Sequence, residues 1–501
     1  MPSIALPVSL RGQLLSGTRS SVPAFSPADL FATGSQGIWL DPSDLSTMFS
    51  DRAGTTPVTT PGTVVGLRLD KSKGLALGAE LLPNSFSSGT WTSLAAGVSV
   101  TSGVVAFSNV APGSNGLLLT AINGSPYQTS KSFEVVLTIS NYVSGGLRVW
   151  TGAGYTQVYS ANGAFTFRVY YPADQSIRVY APATGANTSL SATISIKELQ
   201  GNHAQAPTDA ARPIYGIEPK TGRRNLLLAT DTLATQSLTV TAVAHTLAFT
   251  GTGTVTLSGA STAGPLVGTG AGNRVSLTFT PTAASLTLTV SGSVTLGQLE
   301  LGSSATAYQK VVTAYNVTES GVPTCHYVQY DGANSSMSTA AIDFTGTDNM
   351  SVFAGIRKLS DAAIGTILEY SVDSINNAGS FSLRGSASAA YTYVSRGTAL
   401  SNLTTPTNYA APIYNLVVGL SDISADQSVI RVNGAQVASS ASDQGTGNYG
   451  NHAFFIGRRN NTNFPFNGRD YGIIVVGKAA TTTEITDTET WLAAKTAQVT
   501  L

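Results

Sequence analysis

The chain has 501 residues, and 27 Lys and Arg balance 27 Asp and Glu, so its formal net charge at pH 7 is zero. This balance excludes the basic surface that binding to nucleic acid or to an anionic membrane requires. Charged residues make up only 11% of the chain and Gly contributes 51 residues, which is typical of extracellular and virion proteins rather than cytosolic enzymes.

Residues 1–36 contain little periodic structure. Their start lacks the basic region and long apolar run of a secretory signal, and no stretch of the chain reaches membrane-spanning length, so we expect no membrane insertion. Ser26 followed by Pro27 predicts a capped single turn of helix that carries Leu30 and Phe31. The segment is either a frayed terminus or an arm that docks on a larger assembly through Leu30 and Phe31.

Residues 37–199 divide into two parts. Residues 37–74 contain a predicted strand, 64–69, that leads into Asp70-Lys71-Ser72-Lys73-Gly74. Residues 75–199 contain about eight or nine strand-like runs at the spacing expected of a β-sandwich, for example 133–139 and 165–170.

A third stretch opens with Gly201-Asn202-His203-Ala204 and continues through Ala211-Arg212-Pro213-Ile214-Tyr215. Residues 226–315 then alternate Thr, Val and Leu, as in 286–290, which predicts a second, smaller β-sandwich.

Residues 316–501 contain further predicted strands, and from 413 onward these are short strands of period two separated by turns. Asn433-Gly434 is a strong hairpin sequence, because both residues tolerate the positive φ that a type I′ turn requires. A short helix around 490–495 closes the chain.

This order of strand, Asn-Gly hairpin, Phe455-Ile456-Gly457-Arg458 strand, last strand and closing helix resembles the concanavalin A-like jelly roll of laminin-G-like domains. In such proteins the motif DKSG is followed directly by GNHA, and the motif RPIY is followed by a strand that contains YDG. In this chain the two members of each pair are separated by an insertion, after Gly74 and near Gly222. The resemblance therefore implies an all-β, multi-domain chain in which one discontinuous jelly roll carries two inserted β-sandwiches. The jelly roll comprises 37–74, 200–225 and 316–501, and the insertions are 75–199, which resembles a carbohydrate-binding module, and 226–315.

The sequence offers little for catalysis. Glycosidases of concanavalin-like fold place two carboxylates on one strand face, and the nearest candidates here are Glu369 and Asp373. On an extended strand these lie about 13 Å apart, too far for either two-carboxylate mechanism, so a solvated strand end is the alternative explanation. The four histidines lie on separate segments without a metal-binding spacing, and Cys325 is the only cysteine. We therefore predict no enzyme activity.

We also predict no cofactor and no metal. Calcium would be the cation to consider in this family. However, Asn334-Ser335 stand where relatives of the implied family place acidic residues, so the sequence does not support a calcium site.

For ligand binding, the most promising surface is a pair of polar loops near 447–452 and 458–463. Amides and guanidinium groups match sugar hydroxyls, and a tyrosine can stack on a pyranose face. The alternative is a pair of Asn-rich hairpin turns. Trp91, Trp150, Tyr155 and Tyr159 offer an aromatic surface on the first insertion, or they are core residues. The candidate ligand-binding residues are Tyr449, Asn451, His452, Arg458, Arg459, Asn460 and Asn461.

Residues 37–74 also resemble openings common in tailed-phage structural proteins. Together these features favour a non-enzymatic virion structural protein of a tailed bacteriophage: a tail-fibre, spike or receptor-binding subunit that engages host surface polysaccharide. Residues 1–36 would contact other virion proteins, and the resemblance implies a homotrimer. Assembly in the host cytoplasm and release by lysis would explain the missing secretory signal. The alternatives are a capsid-attached head fibre or decoration protein, a polysaccharide depolymerase and, last, a secreted adhesin.

Overall fold

The computed structural model describes residues 25–82, 93–119, 121–122, 125–126, 131–150, 155–170 and 177–501. Within these ranges the chain is almost entirely β-structure, as the sequence predicted. No helix in the described ranges is long and apolar enough to cross a membrane.

The elements fall into five groups along the chain. Residues 25–74 contain 3-10 helices at Pro27–Phe31 and Leu45–Thr47 and strands β1 (Gly37–Leu40), β2 (Met48–Phe49) and β3 (Leu67–Arg68). The first predicted insertion contains β4 (Leu77–Glu80), β5 (Ser93–Leu94), β6 (Val98–Thr101), β7 (Val104–Val110), β8 (Asn115–Leu119), β9 (Ala121–Ile122), β10 (Ser125–Pro126), β11 (Ser132–Ser144), β12 (Arg148–Trp150), β13 (Gly163–Tyr170), β14 (Ile177–Tyr180) and β15 (Thr188–Leu199).

The next two groups are shorter. They contain β16 (Ala204–Gln205), a 3-10 helix at Asp209–Ala211 and β17 (Ile214–Pro219). After these come β18 (Gln236–Thr239), β19 (His245–Gly251), β20 (Thr254–Gly259), β21 (Leu266–Val267), β22 (Gly270–Phe279), β23 (Ser285–Ser291), β24 (Val294–Leu301) and β25 (Gln309–Thr313).

The last group holds most of the large sandwich. It contains β26 (Asn316–Glu319), β27 (Thr324–Asp331), β28 (Met337–Asp343), β29 (Asn349–Lys358), β30 (Gly365–Tyr370), β31 (Ser380–Gly385), β32 (Tyr391–Arg396), β33 (Leu400–Thr404), β34 (Ile413–Asp422), β35 (Gln427–Val432), β36 (Ala435–Ser440), β37 (Asn451–Ile456), β38 (Asn467–Val476) and helix α1 (Thr482–Lys495). The β35–β36 turn is the predicted Asn433-Gly434 pair, with φ of 49° and 82°.

Two sheets form the large sandwich. The ten-stranded sheet has the order β25-β26-β17-β27-β38-β29-β34-β35-β36, with β1 also paired to β38. The nine-stranded sheet has the order β2-β3-β16-β28-β37-β30-β31-β32-β33. Between them lies one hydrophobic core to which Val65, Val328, Val417 and Ile473 all contribute, so chain segments far apart in sequence bury their apolar residues together.

Helix α1 covers the other side of the ten-stranded sheet. Thr481 caps it in a capping box with Glu484, and Leu492 and Ala493 pack on the sheet. The predicted turn of helix capped by Ser26 is present at Pro27–Phe31, and it joins this same layer.

This packing corrects the assignment of Leu30 and Phe31 to virion docking. Their side chains are 0% and 5% exposed and contact the apolar cluster that includes Trp39 and Leu492. Residues buried in the core of the chain are not available to a partner, because exposing them would cost their burial free energy. Residues 1–24 of the predicted arm lie outside the described residues.

The segments on either side of the first insertion are hydrogen-bonded to each other through Asp70. The buried Asp70 carboxylate accepts the backbone N–H of Trp39 at 2.7 Å and that of Asn202 at 2.7 Å. His203 Nδ1 in turn accepts the Asp70 N–H at 2.9 Å. Gly201 is required here, since its φ is +136° and a Cβ would lie 3.0 Å from the Asp70 carbonyl oxygen.

The stability of this junction should depend on pH through His203. Its Nε2 faces the Leu199 carbonyl oxygen at 3.2 Å, so the neutral ring joins the two ends of the first insertion. Burial holds the pKa of His203 below its usual value; the Asp70 charge opposes this and Arg168 adds to it. As the pH falls, His203 therefore binds a proton in the unfolded chain before it does so in the folded chain. The stabilisation that the neutral ring contributes above about pH 6.5 is lost as the pH falls below that value.

We expect the melting temperature to decrease between pH 7.5 and 5.5, and to decrease less in His203→Gln, measured by circular dichroism. Burial also lowers the pKa of His326, so some dependence on pH will persist in that variant. Equal slopes in the two proteins would contradict a role for His203.

The inserted regions have cores of their own. In the first, a sheet of order β13-β11-β15-β7-β6, with β4 on β15, faces a sheet of order β12-β14-β8-β5. In the second, sheets of order β18-β23-β20-β21 and β22-β19-β24 enclose a smaller core. The predicted boundary at 315 is too late, because β25 pairs with β26 and so belongs to the ten-stranded sheet.

Candidate functional site

The candidate site lies on the side of the nine-stranded sheet that is turned away from the core. We call this side the polar face. Strand pairing places one residue of each of six neighbouring strands in a row across it. Because side chains alternate along a strand, the neighbours Leu368 and Tyr370 enter the core while Glu369 points outward. The row consists of Ser338, Phe455, Glu369, Ser382, Val394 and Asn402.

The strap, residues 371–379 between β30 and β31, folds back over the middle of the polar face. The Ser374 amide donates to Glu369 Oε1 at 2.7 Å, and Ser374 Oγ donates to Ser382 Oγ at 3.1 Å. Glu369 and Ser382 are consequently 0% exposed, although they lie on the outer side of the sandwich.

The strap also corrects the predicted separation of Glu369 and Asp373. The strand ends at Tyr370, and Ser371 has a φ of +125°, so the chain turns back instead of extending. Both carboxylates contact Arg459, Glu369 at 3.0 Å from Nε and Asp373 at 3.2 Å from Nη1. The estimate of about 13 Å assumed an extended strand, which ends before Asp373 is reached.

Three arginines surround the strap. Arg459 pairs with the two carboxylates, Arg384 Nη2 donates to Ser374 Oγ at 2.6 Å, and Arg396 donates to the Ile375 carbonyl. Burial lowers the pKa of Arg384 to about 10; Glu369 offsets the loss of solvation only in part and Arg459 repels the charge. The polar face therefore holds several charged side chains close together, and their partial loss of solvation opposes this arrangement.

The carboxylate at the edge of the strap remains ionised. Burial alone would raise the pKa of Asp373, but hydrogen bonds from Asn376 and the Ile375 amide, together with the Arg459 charge, hold it below its usual value. Asp373 is therefore an anion at neutral pH, and it neutralises part of the arginine charge.

The arginine loop, residues 457–464 between β37 and β38, lies beside the strap on the same face. Asn461 Nδ2 donates to Ser338 Oγ at 3.2 Å, which places the loop over one end of the row. Asn460, Asn461 and Phe464 have φ of 48°, 56° and 50°, and Phe464 is 36% exposed with the Arg459 guanidinium 4.8 Å from its ring. A positive φ is unfavourable for phenylalanine, so the tertiary contacts of the loop hold this ring in place.

Several polar atoms of the arginine loop have no hydrogen-bond partner. They are Arg458 Nε, Arg459 Nη2 and Asn461 Oδ1, and each is buried. A buried polar atom without a partner costs about 1–3 kcal/mol, so such atoms gain from any group that can reach them. The loop therefore combines unused donors, an unused acceptor and a half-exposed aromatic ring.

Tyr449 does not belong to this surface, which corrects its assignment as a sugar-stacking residue. Its side chain is 1% exposed, and its hydroxyl lies 2.8 Å from Ser395 Oγ and 2.6 Å from Ser421 Oγ inside the sandwich. The aromatic ring packs edge to face on Phe381. The polar residues around Tyr449 suggested a surface loop, but the sheets close over its ring.

Asn451 and His452 are also separated from the arginine loop. They begin β37, whereas Arg458 follows its end, so about 20 Å of strand lies between them. His452 Nε2 faces the Ala378 carbonyl at 3.2 Å and its ring packs on Tyr370 at 5.2 Å. The structure therefore brings Arg458, Arg459, Asn460 and Asn461 together and leaves Asn451 and His452 at the opposite rim.

Of the aromatic residues predicted as a binding surface on the first insertion, one is buried and another is exposed. Tyr159 is 6% exposed and stacks on Phe167 in the core, while Tyr155 is 45% exposed and contacts the Trp150 ring at 5.1 Å. The Arg148 guanidinium lies 3.9 Å from the Tyr155 ring. Trp91 lies outside the described residues.

In the part of the chain that the structure describes, no metal site accompanies the arginine loop, and the cavity beside Phe466 is small. Asp331, in the turn considered for calcium, accepts the backbone N–H groups of Ala333, Asn334 and Ser335 at 2.9–3.0 Å. Among the described residues, no group of three or more His, Cys, Asp or Glu side chains is placed to hold a metal ion. The cavity beside Phe466 measures about 210 Å³, below the usual range of small-molecule pockets.

Sequence reasoning missed Arg384, Arg396 and Ser382 as neighbours of the site. Their alternation along β31 and β32 with the core residues Phe381, Leu383 and Tyr393 would have placed them on the outer face. Nothing in the sequence indicates that the loop before β31 folds over that face.

No protein-family model matches this sequence, and no curated protein matches it significantly. Among solved structures, the chain is similar to a carbohydrate-binding module, CBM40, of the Ruminococcus gnavus IT-sialidase bound to α2,3-sialyllactose, with 16% identity, 30% of this chain and 97% of that chain covered, and a TM-score of 0.25. It is also similar to the binding domain of botulinum neurotoxin DC in complex with SialylT, with 11% identity, 33% and 42% coverage and a TM-score of 0.27.

Proposed function

We propose that this chain is a non-enzymatic structural protein of a tailed-phage virion, a tail-fibre, spike or receptor-binding subunit that binds host surface glycans. The low charge content, the absence of a cysteine framework and the resemblance of residues 37–74 to openings common in tailed-phage structural proteins support the virion assignment. Mass spectrometry of purified particles tests it directly. Docking to other virion proteins is assigned to residues 1–24, since Leu30 and Phe31 are buried.

The observation that carries glycan binding is the unused hydrogen-bonding capacity of the arginine loop. A sugar hydroxyl both donates and accepts, so one ring can pair with the half-buried Arg458 guanidinium and, once the loop shifts to uncover it, with Asn461 Oδ1. The half-exposed Phe464 ring offers an apolar surface to the C–H face of a pyranose. A shallow site of this kind suits a polymer displayed on a cell surface better than a small cofactor.

The carboxylates of the polar face support a binding rather than a hydrolytic role. Glu369 is fully buried and ion-paired to Arg459, and Asp373 pairs with the same guanidinium. A glycosidase needs one carboxyl group that stays protonated and a second with access to the sugar. The low pKa of Asp373 and the burial of Glu369 do not suit those roles.

The test is glycan binding by variants of the arginine loop. Arg458→Ala and Asn461→Gly should each weaken binding to a cell-surface glycan array hit by about tenfold or more, because each removes a hydrogen bond worth about 1–3 kcal/mol when one partner is charged or buried. Glycine is chosen at 461 because it accepts the φ of 56° that this position has.

Arg274→Ala is the matched control, since this arginine is exposed on the second insertion, far along the chain from the arginine loop. It should leave binding unchanged. Glycan binding that survives both loop substitutions would place the site elsewhere, and the exposed Tyr155 would be the next candidate.

A further inference from the structure

We infer that the strap is a movable cover, and that an acidic oligosaccharide occupies the polar face beneath it when the strap lifts. This rests on the proposed glycan-binding function and extends it from the arginine loop to a second, covered part of the same surface. The inference starts from what holds the strap down.

The strap is held by polar contacts. Ser374 bonds to Glu369 and Ser382, Arg396 bonds to the Ile375 carbonyl, and Asp373 pairs with Arg459. Among the described residues, the hydrophobic clusters include no side chain from the strap. Sugar hydroxyls and carboxylates can replace each of these bonds, so exchanging strap for ligand does not require exposing apolar core.

Both ends of the strap have unusual backbone conformations. Ser371 has a φ of +125° and Gly379 a φ of +66°, and these two residues bound the segment between β30 and β31. A Cβ at Gly379 would lie 2.5 Å from the Gly450 backbone nitrogen, so the tight fold-back depends on glycine. Positive φ at a non-glycine residue stores backbone strain, which is released if the segment changes conformation.

The strap leaves several hydrogen-bond donors of the surface beneath it without partners. Arg384 Nε, Arg396 Nε and Arg459 Nη2 are buried without hydrogen-bond partners, and all three arginines contact the strap or its carboxylate. Donors of this kind remain available to a ligand that fits the face more completely than the strap does.

Charge decides the class of ligand. Arg384 and Arg459 pair with Glu369, Arg459 also pairs with Asp373, and Arg396 contacts the strap at the Ile375 carbonyl; Asp373 is carried by the strap itself. Lifting the strap therefore removes one anion and leaves the arginines in greater excess over Glu369. A carboxylate on the ligand would take the place of Asp373 at Arg459, as planar guanidinium groups bind carboxylates strongly.

Movement of the strap can be measured without a ligand. Ser382 is 0% exposed beneath the strap, and Ser395 is 0% exposed on the core side of the neighbouring strand. In Ser382→Cys the thiol should react with a maleimide at least tenfold faster than in Ser395→Cys under native conditions, with the parent chain and its buried Cys325 as baseline. Equal rates would show that the strap stays closed and would overturn the inference.

Binding beneath the strap is tested by locking it. The Oγ atoms of Ser374 and Ser382 are 3.1 Å apart, so Ser374→Cys with Ser382→Cys should form a disulfide that closes the strap. We expect the oxidised protein to bind trigalacturonate at least tenfold more weakly than the reduced protein, and reductant to restore binding. The neutral maltotriose should bind more weakly than trigalacturonate to the unlocked protein.

The outcomes separate this inference from the proposed function. Equal binding by locked and reduced protein, with Arg458→Ala still impaired, would keep glycan binding at the arginine loop and overturn the movable cover. Fast labelling of Ser382→Cys without trigalacturonate binding would retain the movement and overturn the acidic occupant.

Discussion

Arg68→Met is expected to destabilise the large sandwich by about 3–5 kcal/mol, the usual cost of removing one partner of a buried ion pair. Arg68 lies on β3 of the nine-stranded sheet and Asp470 on β38 of the ten-stranded sheet. Two hydrogen bonds of 2.8 and 2.9 Å join them through the core, and each side chain is 1% exposed. Without Arg68 the Asp470 carboxylate would stay buried in the core without its charged partner.

The measurement is chemical unfolding followed by circular dichroism, with two comparisons. The double variant Arg68→Met/Asp470→Leu should recover much of the loss, because neither charge then remains buried alone. Lys310→Met removes one member of the exposed Lys310–Asp231 pair, whose side chains are 44% and 51% exposed, and should cost at most about 1 kcal/mol. A loss in Arg68→Met no larger than that in Lys310→Met would refute this account of the core.

Deleting residues 76–199 and joining the ends with a short Gly-Ser bridge is expected to leave a soluble, folded remainder. The two ends of the deleted region are neighbours, since the Gln200 amide donates to the Ala76 carbonyl at 2.9 Å and Leu199 pairs with Leu77. The deleted region also has its own hydrophobic core. Removing it therefore leaves the core between the two large sheets in place.

The deletion should nevertheless lower the melting temperature by several degrees. Leu199 packs with Phe49, Leu67 and Leu69 at the junction, and losing a buried leucine costs about 1.5–3 kcal/mol. A matched deletion of 78–198, which keeps Leu199, should melt higher. Circular dichroism and thermal melting give both results, and aggregation of both proteins would mean that the first insertion is integral to the fold.

The sequence by itself determined the local structure of this protein. Alternating apolar residues predicted β-strands, Asn433-Gly434 predicted a two-residue hairpin, and Ser26-Pro27 predicted a capped turn. Each of these depends on a few adjacent residues whose conformational preferences act wherever the chain folds. The ligand-binding role of 458–461 was predicted for the same reason, since the amides and guanidinium groups of these adjacent residues are visible in the sequence.

Only the tertiary structure decided what covers each residue. Tyr449 stands in a polar stretch yet lies in the core, and Leu30 and Phe31 stand in an aperiodic terminus yet pack against α1. Glu369 and Asp373 meet at Arg459 because the chain turns back at Ser371. Burial depends on which distant segments pack together, and the period of a strand predicts which residues share a face but not whether solvent or another segment lies over it.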